Sequence, residues 1–268
     1  MRTLKCVTAA APLLLLAALF LGACATHATL PTADEKASLA PTGKLRLAVL
    51  PTNPAYATKD AATGELKGPS IEFGREVARR LGVPMEVVPY PAISQMIASA
   101  SKGEWDLVTV GINPDRQKVI EFAAPHAVSE SGYLVKGAGP ASIAEVDRTG
   151  VRVVVLERGD SDIFLTQRLK NATIVRVKSQ GDAVAALNEG KGDVHANVKT
   201  NLIPVVPQVP SGRILDGYWQ LQPIAFGVPK DKDASARLVK RVVDEMKATG
   251  AMREILEKAA VPGLKPAP

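Results

Sequence analysis

Cysteine is nearly absent from the 268-residue chain, which contains only Cys6 and Cys24. We predict that Cys6 is removed with an N-terminal signal, so that Cys24 is the one cysteine left. A single cysteine excludes an intrachain disulfide and a cysteine metal cluster, and none is left in the body of the chain to act as a nucleophile. The chain also lacks the short motifs of serine hydrolases, zinc peptidases and phosphate-binding loops. We therefore expect no metal, no cofactor and no catalytic residue.

Clusters of positive charge are also missing. Lysine and arginine are scattered along the chain, aromatic residues make up 4% of it, and no basic block alternates with aromatic side chains. This pattern argues against nucleic-acid binding. Loss of Arg2 and Lys5 with the signal lowers the formal net charge from +6 to +4. A mildly basic protein of this kind is suited to attracting anionic solutes.

The one long apolar run, from Ala9 to Leu21, is shorter than the roughly 20 residues that a membrane-spanning helix needs. It follows a short positively charged start, which is the layout of a secretory signal. The run ends in Leu21-Gly-Ala-Cys24, which resembles a bacterial lipobox, whose cysteine is acylated and becomes the new N terminus. The resemblance predicts a lipoprotein signal peptide over residues 1–23 and a lipid on Cys24. An ordinary signal peptide, cut among the small residues at 23–25, is the alternative.

Residues 24–42 are rich in alanine, threonine, proline and serine and show no periodicity. Such a composition predicts a tether between the lipid and a globular domain. The globular part then runs from Gly43 to about Gly263, which is long enough for one large or two small hydrophobic cores.

Strand and helix patterns alternate through this globular part. Strands are predicted at residues 44–50, 85–89, 106–111, 151–156, 173–177 and 193–197. Helices are predicted at residues 69–81, 92–101, 161–170, 182–188, 234–249 and 252–260. The alternation predicts an α/β fold with mainly parallel sheets and helices on both faces. Because the pattern restarts after Gly150, we expect two lobes, with a cleft beyond the carboxyl ends of the strands.

Several segments carry recognisable motifs in a fixed order. The first three segments are residues 43–49, 68–83 and 103–106. They are followed by Pro114-Asp-Arg116, Glu121-Phe-Ala-Ala-Pro125 and Ile224-Ala-Phe-Gly-Val-Pro-Lys230. Together they resemble periplasmic solute-binding proteins of the polar amino-acid ABC transporter family, the family 3 type. The resemblance implies the type II periplasmic-binding-protein fold, in which two crossover segments join two α/β domains around a ligand cleft. The expected lobes are residues 43–126 plus 223–268 (lobe 1) and residues 131–219 (lobe 2).

The resemblance also implies a site for a carboxylate. Arg116 stands where the family's arginine grips the ligand's carboxylate, and a planar guanidinium offers two parallel hydrogen bonds to such a group. Asn113, which precedes the proline, either binds the ligand or caps the helix. From the second lobe, Gly159, Asp160 and Ser161 are expected to meet the ligand. Asp160 is unfavourable beside an anion unless its side chain points away or meets a positive group of the ligand.

Other candidate residues belong to the walls of the cleft. Asn53 and Tyr56 follow the first strand, Ile93 stands where the family often has an aromatic residue, and Asn197 ends a strand of the second lobe. Val198 departs from the family, whose members usually carry an aspartate there to hold the ligand's α-ammonium group. This departure leaves room for an organic acid as well as an amino acid.

The expected function is that of the substrate-binding component of an ABC-type uptake system. We expect a small anionic or zwitterionic solute to close the lobes about crossovers near residues 126–130 and 219–223, and a permease in the inner membrane to recognise the closed form. The protein is expected to be a periplasmic monomer anchored by lipid to a membrane. Ala25, in place of a retention aspartate after Cys24, favours the outer membrane of a Gram-negative cell.

Two other functions fit the same fold. Cyclic-acid dehydratases resemble it too, and an enzyme would draw its acid or base from His126, Glu157 or Asp160. A sensor lipoprotein without a transport role is the third possibility. We expect His195 to make a structural hydrogen bond, because it shares a strand face with Asp193 and Asn197.

Overall fold

The computed structural model of the protein describes residues 30–268. The predicted signal peptide (1–23), the lipidation site Cys24 and the first part of the tether (24–29) lie outside the described residues. None of the helices in residues 30–268 is both long enough and apolar enough to cross a membrane.

The first-lobe elements come first along the chain. The helices are α1 (Ala33–Leu39), α2 (Pro69–Leu81), α3 (Ile93–Ala98) and α4 (Pro114–Gln117), with a 3-10 turn at Ala100–Lys102. The strands are β1 (Leu45–Val49), β2 (Thr52–Asn53), β3 (Ala57–Lys59), β4 (Leu66–Lys67), β5 (Met85–Pro89), β6 (Leu107–Gly111) and β7 (Ile120–Phe122).

The chain then crosses to the second lobe and returns. On the way out it forms β8 (Ala127–Lys136), β9 (Arg152–Leu156), α5 (Asp160–Thr166), β10 (Thr173–Val177), α6 (Gln180–Asn188), β11 (Val194–Val198), α7 (Lys199–Leu202) and β12 (Gly212–Ile214), with 3-10 turns at Ile143–Glu145 and Ile203–Gln208. The return comprises β13 (Gln220–Pro229), α8 (Asp233–Ala248), α9 (Ala251–Ala259) and β14 (Leu264–Pro266).

Helix α2 shows how local sequence sets an element. Pro69 occupies the first turn, where its fixed φ angle fits a helix and its missing N–H is not needed. The helix ends at Gly82, whose φ of 62° is left-handed and suits glycine. On its buried face, a Cβ on Gly74 would lie 2.8 Å from atoms of both Leu47 and Met85. Glycine therefore lets the helix pack closely on β1 and β5.

The two lobes repeat one arrangement of strands. In the first lobe β5, β1 and β6 are parallel neighbours, and in the second lobe β10, β9 and β11 are. A long antiparallel strand lies next to each set in the sheet. β13 pairs with β6, and β8 pairs with β11. β8 and β13 pair with each other, from Ala127 opposite Ile224 to Ser131 opposite Gln220. The chain therefore crosses between the lobes twice, side by side.

The apolar cores lie on either side of these crossings. Two clusters, around Phe73 and Trp105, use residues before 128 and after 223. Two others, around Val153 and Leu187, use residues from 133 to 219. β14 pairs with Ala127–Ser129 on the edge of β8 opposite to β13. This part of the hinge therefore consists of three adjacent strands.

The tether prediction is wrong for residues 33–39, which form α1. Thr32 and Glu35 make a reciprocal capping box at its start, and Leu39 is buried. Glu35 accepts hydrogen bonds from both terminal nitrogens of Arg241 on α8, at 2.9 and 2.8 Å. These hydrogen bonds hold the pKa of Glu35 at about 2, well below its usual 4.5. The alanine-rich composition hid a helix that belongs to the first lobe.

We expect Glu35→Gln to lower the free energy of unfolding by about 2 kcal/mol at pH 7, because it removes a charge-assisted pair. Because the folded-state pKa is depressed, the difference from the parent protein should be full above pH 4.5 and shrink as the pH falls towards 2. Urea unfolding at several pH values checks this, with Asp34→Asn on the exposed face of α1 as the control. A loss that is equal for both variants would mean that α1 is not docked through Glu35.

Candidate functional site

A small cavity of about 60 Å³ lies between the lobes, beyond the carboxyl ends of β1, β9 and β11. Eight of the nine predicted ligand-binding residues line it. The ninth, Asn113, lines a larger opening next to it. The lining residues are Leu50, Asn53, Ala55, Tyr56, Ile93 and Arg116 from the first lobe, Leu156, Gly159, Asp160, Ser161, Ala196, Asn197, Val198, Thr200 and Asn201 from the second, and Gln222 and Ile224 from β13.

Arg116 reaches this cavity because of a short helix after β6. Asn113 caps α4 by accepting a hydrogen bond from the Arg116 backbone N–H at 2.9 Å, and Pro114 occupies the first turn. Nη1 of Arg116 then donates to the Gly111 carbonyl at 2.7 Å, and only 3% of the residue is exposed. The capping alternative for Asn113 is therefore observed, and it orients the arginine towards the cleft.

The side chain of Asp160 points into the cleft rather than away from it. Its Oδ2 accepts a hydrogen bond from Arg116 Nη1 at 3.0 Å, and its Oδ1 accepts one from Asn113 Nδ2 at 2.7 Å. Asp160 belongs to the second lobe and both donors belong to the first. A carboxylate therefore bridges the lobes at the predicted anion site, and this carboxylate is the protein's own.

The start of α5, which presents Asp160, is braced from within the second lobe. Gly159 precedes α5, and a Cβ there would lie 3.0 Å from the Leu156 carbonyl oxygen, so the close turn favours glycine. The buried Asp162 accepts hydrogen bonds from the Arg158 backbone N–H at 2.9 Å and from Arg176 Nε at 3.0 Å. The position of Asp160 is thus fixed by its neighbours as well as by Arg116.

Tyr56 and Asn53 form part of the first-lobe wall. The hydroxyl of Tyr56 accepts a hydrogen bond from the Gly111 N–H at 3.1 Å, and burial raises the pKa of Tyr56 to about 12. The side-chain Oδ1 of Asn53 accepts a hydrogen bond from the Ala55 N–H at 3.0 Å. Ile93 begins α3 and gives the wall an apolar surface.

The second-lobe wall contains polar groups in addition to the predicted residues. Asn197 donates to Gln180 Oε1 at 3.1 Å and accepts from the Val198 N–H at 2.8 Å, so it is held by its own lobe. Thr200 Oγ1 and Asn201 Oδ1 are buried and have no hydrogen-bond partner among the described residues. The one feature of the sequence that could have indicated these two residues is their position in α7, which follows β11, a strand that ends at the cleft.

A larger opening of about 700 Å³ continues the cleft towards the surface. Ile93 and Arg116 line both spaces, so the opening adjoins the small cavity at these two residues. Its first-lobe wall includes Ile97 and Val119, and its second-lobe wall includes Arg158.

The three candidate acids and bases are not brought together. His126 is buried and stacks on Phe226 with ring centroids 4.2 Å apart, and burial lowers its pKa to about 3. Glu157 is exposed, and neither residue lines the two cleft spaces described above. Of the three, Asp160 alone lines the cavity, where Arg116 holds it.

His195 has the structural role predicted for it. Its Nδ1 lies 3.0 Å from the Val154 carbonyl oxygen, and burial lowers the pKa of His195 to about 4. Within residues 30–268, no group of three histidine, cysteine, aspartate or glutamate side chains is arranged to hold a metal ion.

Comparisons with known proteins agree with this architecture. The model of the bacterial extracellular solute-binding proteins, family 3, matches residues 45–260. The ABC transporter glutamine-binding protein GlnH of Bacillus subtilis is 20% identical over 229 residues, which cover 84% of this chain and 84% of the relative.

Solved structures show the same fold. An amino acid ABC transporter substrate-binding protein of Streptococcus pneumoniae, bound to L-arginine, aligns with a TM-score of 0.72 and 22% identity over 83% of this chain and 96% of that chain. An ancestral amino acid-binding protein, described as a precursor of cyclohexadienyl dehydratase, aligns with a TM-score of 0.71 and 21% identity over 83% and 97%. The predicted two-lobed α/β fold is confirmed.

We expect Tyr56→Phe to destabilise the protein by about 1–3 kcal/mol, because the buried N–H of Gly111 loses its acceptor. Chemical unfolding measures the change, and Tyr218→Phe, at a tyrosine that is 49% exposed, serves as the control. Equal stabilities of the two variants would show that the Tyr56 hydroxyl does not hold the end of β6.

Proposed function

The chain belongs to family 3 of the bacterial extracellular solute-binding proteins, and we propose that it binds a small carboxylate-bearing solute in the cleft at Arg116. The observation that carries this proposal is the contact between Arg116 and a carboxylate at 3.0 Å. A buried guanidinium that binds the protein's own carboxylate has the charge and geometry to bind a ligand's carboxylate in its place. The proposed ligand contacts are Arg116, Asn113, Asn53, Tyr56 and Ile93 in lobe 1 and Gly159, Asp160, Ser161 and Asn197 in lobe 2.

Amino acids are the first ligands to test, with organic acids as the second class. The names of relatives mention glutamine and, for one solved structure, bound L-arginine. Because β11 ends in Val198, it places no carboxylate at the cleft. The ammonium group of a bound amino acid must therefore pair with an anion from another element. This requirement is specific enough to be tested with solutes that differ only in the amino group.

We propose that binding works by hinge closure. The two crossings, β8 and β13, are the segments about which the lobes would rotate, and the candidate contacts come from both lobes. A ligand that bridges Arg116 and the loop at Gly159–Ser161 binds the closed form better than the open form. That difference in affinity is what drives closure.

The biological setting is proposed from the family. A closed, loaded protein would deliver its solute to an ABC permease, and a lipid on Cys24 would hold it at a membrane in the periplasm. We propose that it acts as a monomer and binds without turnover. The isolation of His126 and Glu157 from the cleft argues against acid–base chemistry there.

The test is a thermal-shift screen of the lipid-free chain, residues 24–268 with Cys24→Ser, against the amino acids and a set of small organic acids. A solute that binds only the folded state raises the melting temperature, and at one hundred times its Kd it adds about 2.7 kcal/mol to stability. Arg116→Ala should abolish the shift. The control is Arg75→Ala, which removes the same charge from an exposed surface of the first lobe.

A shift that survives Arg116→Ala would contradict the proposed anchor. The absence of any shift in the parent protein would contradict binding of these solute classes.

A further inference from the structure

We infer that Asp160 is a specificity-determining residue, which makes the cleft select a solute that carries a positive group beside its carboxylate. The inference deepens the proposed function and rests on it, because both concern the same cleft. It assigns the ligand's positive group to the first residue of α5 in the second lobe. β11, where the family's aspartate is expected, has Val198 instead.

The charges of the cavity support this assignment. Arg116 is the one cation and Asp160 the one anion among the described residues that line it. Arg116 is buried and Asp160 is half-buried, with side-chain exposures of 4% and 18%, and the two charges of the pair cancel. Any ligand therefore enters a site in which the arginine's charge is already neutralised.

A simple carboxylate and a zwitterion change this balance differently. A simple carboxylate places two anions beside one guanidinium and leaves a surplus negative charge in a buried space, which is costly. A zwitterion adds no net charge. Its carboxylate pairs with Arg116 while its ammonium group pairs with Asp160, so one ion pair is replaced by two.

Unpartnered acceptors on residues that line the same cavity are consistent with the same kind of ligand. Asn201 Oδ1 can only accept a hydrogen bond, and Thr200 Oγ1 can accept one, and both atoms are buried without a partner among the described residues. Both residues line the cavity with Asp160. An ammonium group has three N–H donors, so after pairing with Asp160 it keeps two for further acceptors in the cavity wall.

Asp160 also connects the ligand to closure. Its carboxylate is held by Arg116 and Asn113 of the other lobe, so it ties the lobes together through the groups that receive the ligand. A ligand's carboxylate competes with Asp160 for Arg116, and its ammonium group offers Asp160 a new partner in return. When a solute without an ammonium group binds Arg116, the protein loses the Arg116–Asp160 pair between the lobes and Asp160 gains no new partner.

The first experiment compares matched solutes by isothermal titration calorimetry on the lipid-free chain. The probes are L-glutamine, L-glutamate and L-leucine, each paired with the same molecule lacking the α-amino group, namely 4-carbamoylbutanoate, glutarate and 4-methylpentanoate. Asp160→Asn should weaken binding of the amino acids about tenfold to a hundredfold, the loss expected for a charged hydrogen bond. It should leave binding of the des-amino acids unchanged or strengthen it.

Asp115→Asn is the matched control. Asp115 lies on α4 at the edge of the larger opening and is exposed. It pairs with Lys118 rather than with Arg116. This variant should bind both members of each pair as the parent does. An Asp160→Asn variant that weakens both members equally would overturn the inference, since the residue would then act only through the fold.

A second measurement needs no solute. The lipid-free chain contains no cysteine, so Lys102→Cys and Lys170→Cys provide one spin label on each lobe, both at exposed positions. Without ligand, Asp160→Asn should broaden the inter-label distances towards longer values, and Asp115→Asn should not.

The two measurements separate the possible failures. If no probe binds the parent protein, the proposed function fails for these solutes, and the distances still decide whether Asp160 holds Arg116. An unchanged distance distribution in Asp160→Asn would overturn the inter-lobe contact on which the inference depends.

Discussion

The buried guanidinium of Arg116 is the constraint on which the cleft depends. A charge that is 97% removed from solvent is costly unless an anion and hydrogen-bond acceptors surround it. Here the Gly111 carbonyl and the Asp160 carboxylate meet that requirement, and the second of these comes from the opposite lobe. One electrostatic need therefore links the end of a strand, a capped helix, the start of a helix in the other lobe and the relative position of the lobes.

The fold supplies these groups through repetition. Each lobe has three parallel strands whose carboxyl ends face the cleft, and each is completed by a long antiparallel strand that belongs to the hinge. Because β8 and β13 pair side by side, residues of the two lobes meet at the point where the chain crosses. The third strand, β14, and the ion pairs of Glu130 with Lys199 and Lys265 tie the C terminus to this crossing.

The sequence predicted those parts of the structure whose signals are local. Helix α2 has the predicted bounds, 69–81, because a proline starts it and a glycine stops it. The predicted strands β5 and β10 have the predicted ends, since turn-forming residues flank short apolar runs. Helix α1 was missed because its composition resembles a linker, although Thr32 and Glu35 form a capping box three residues apart.

The site was less predictable where it depends on contacts between lobes. The residues around the cavity could be selected from the order of motifs, but the direction of the Asp160 side chain could not, because it is decided by Arg116 of the other lobe. Thr200 and Asn201 carry no motif at all. Their importance comes from burial without partners, which is a property of three-dimensional packing.

The most direct test of this account is a double-mutant cycle on unfolding free energy with Arg116→Met, Asp160→Asn and the combined variant, in the absence of any solute. If Arg116 and Asp160 form the pair that joins the lobes, the cycle should give a coupling energy of about 1–3 kcal/mol. If the two single losses add to within about 0.5 kcal/mol of the double variant's loss, the residues do not interact, and the account of the cleft is contradicted.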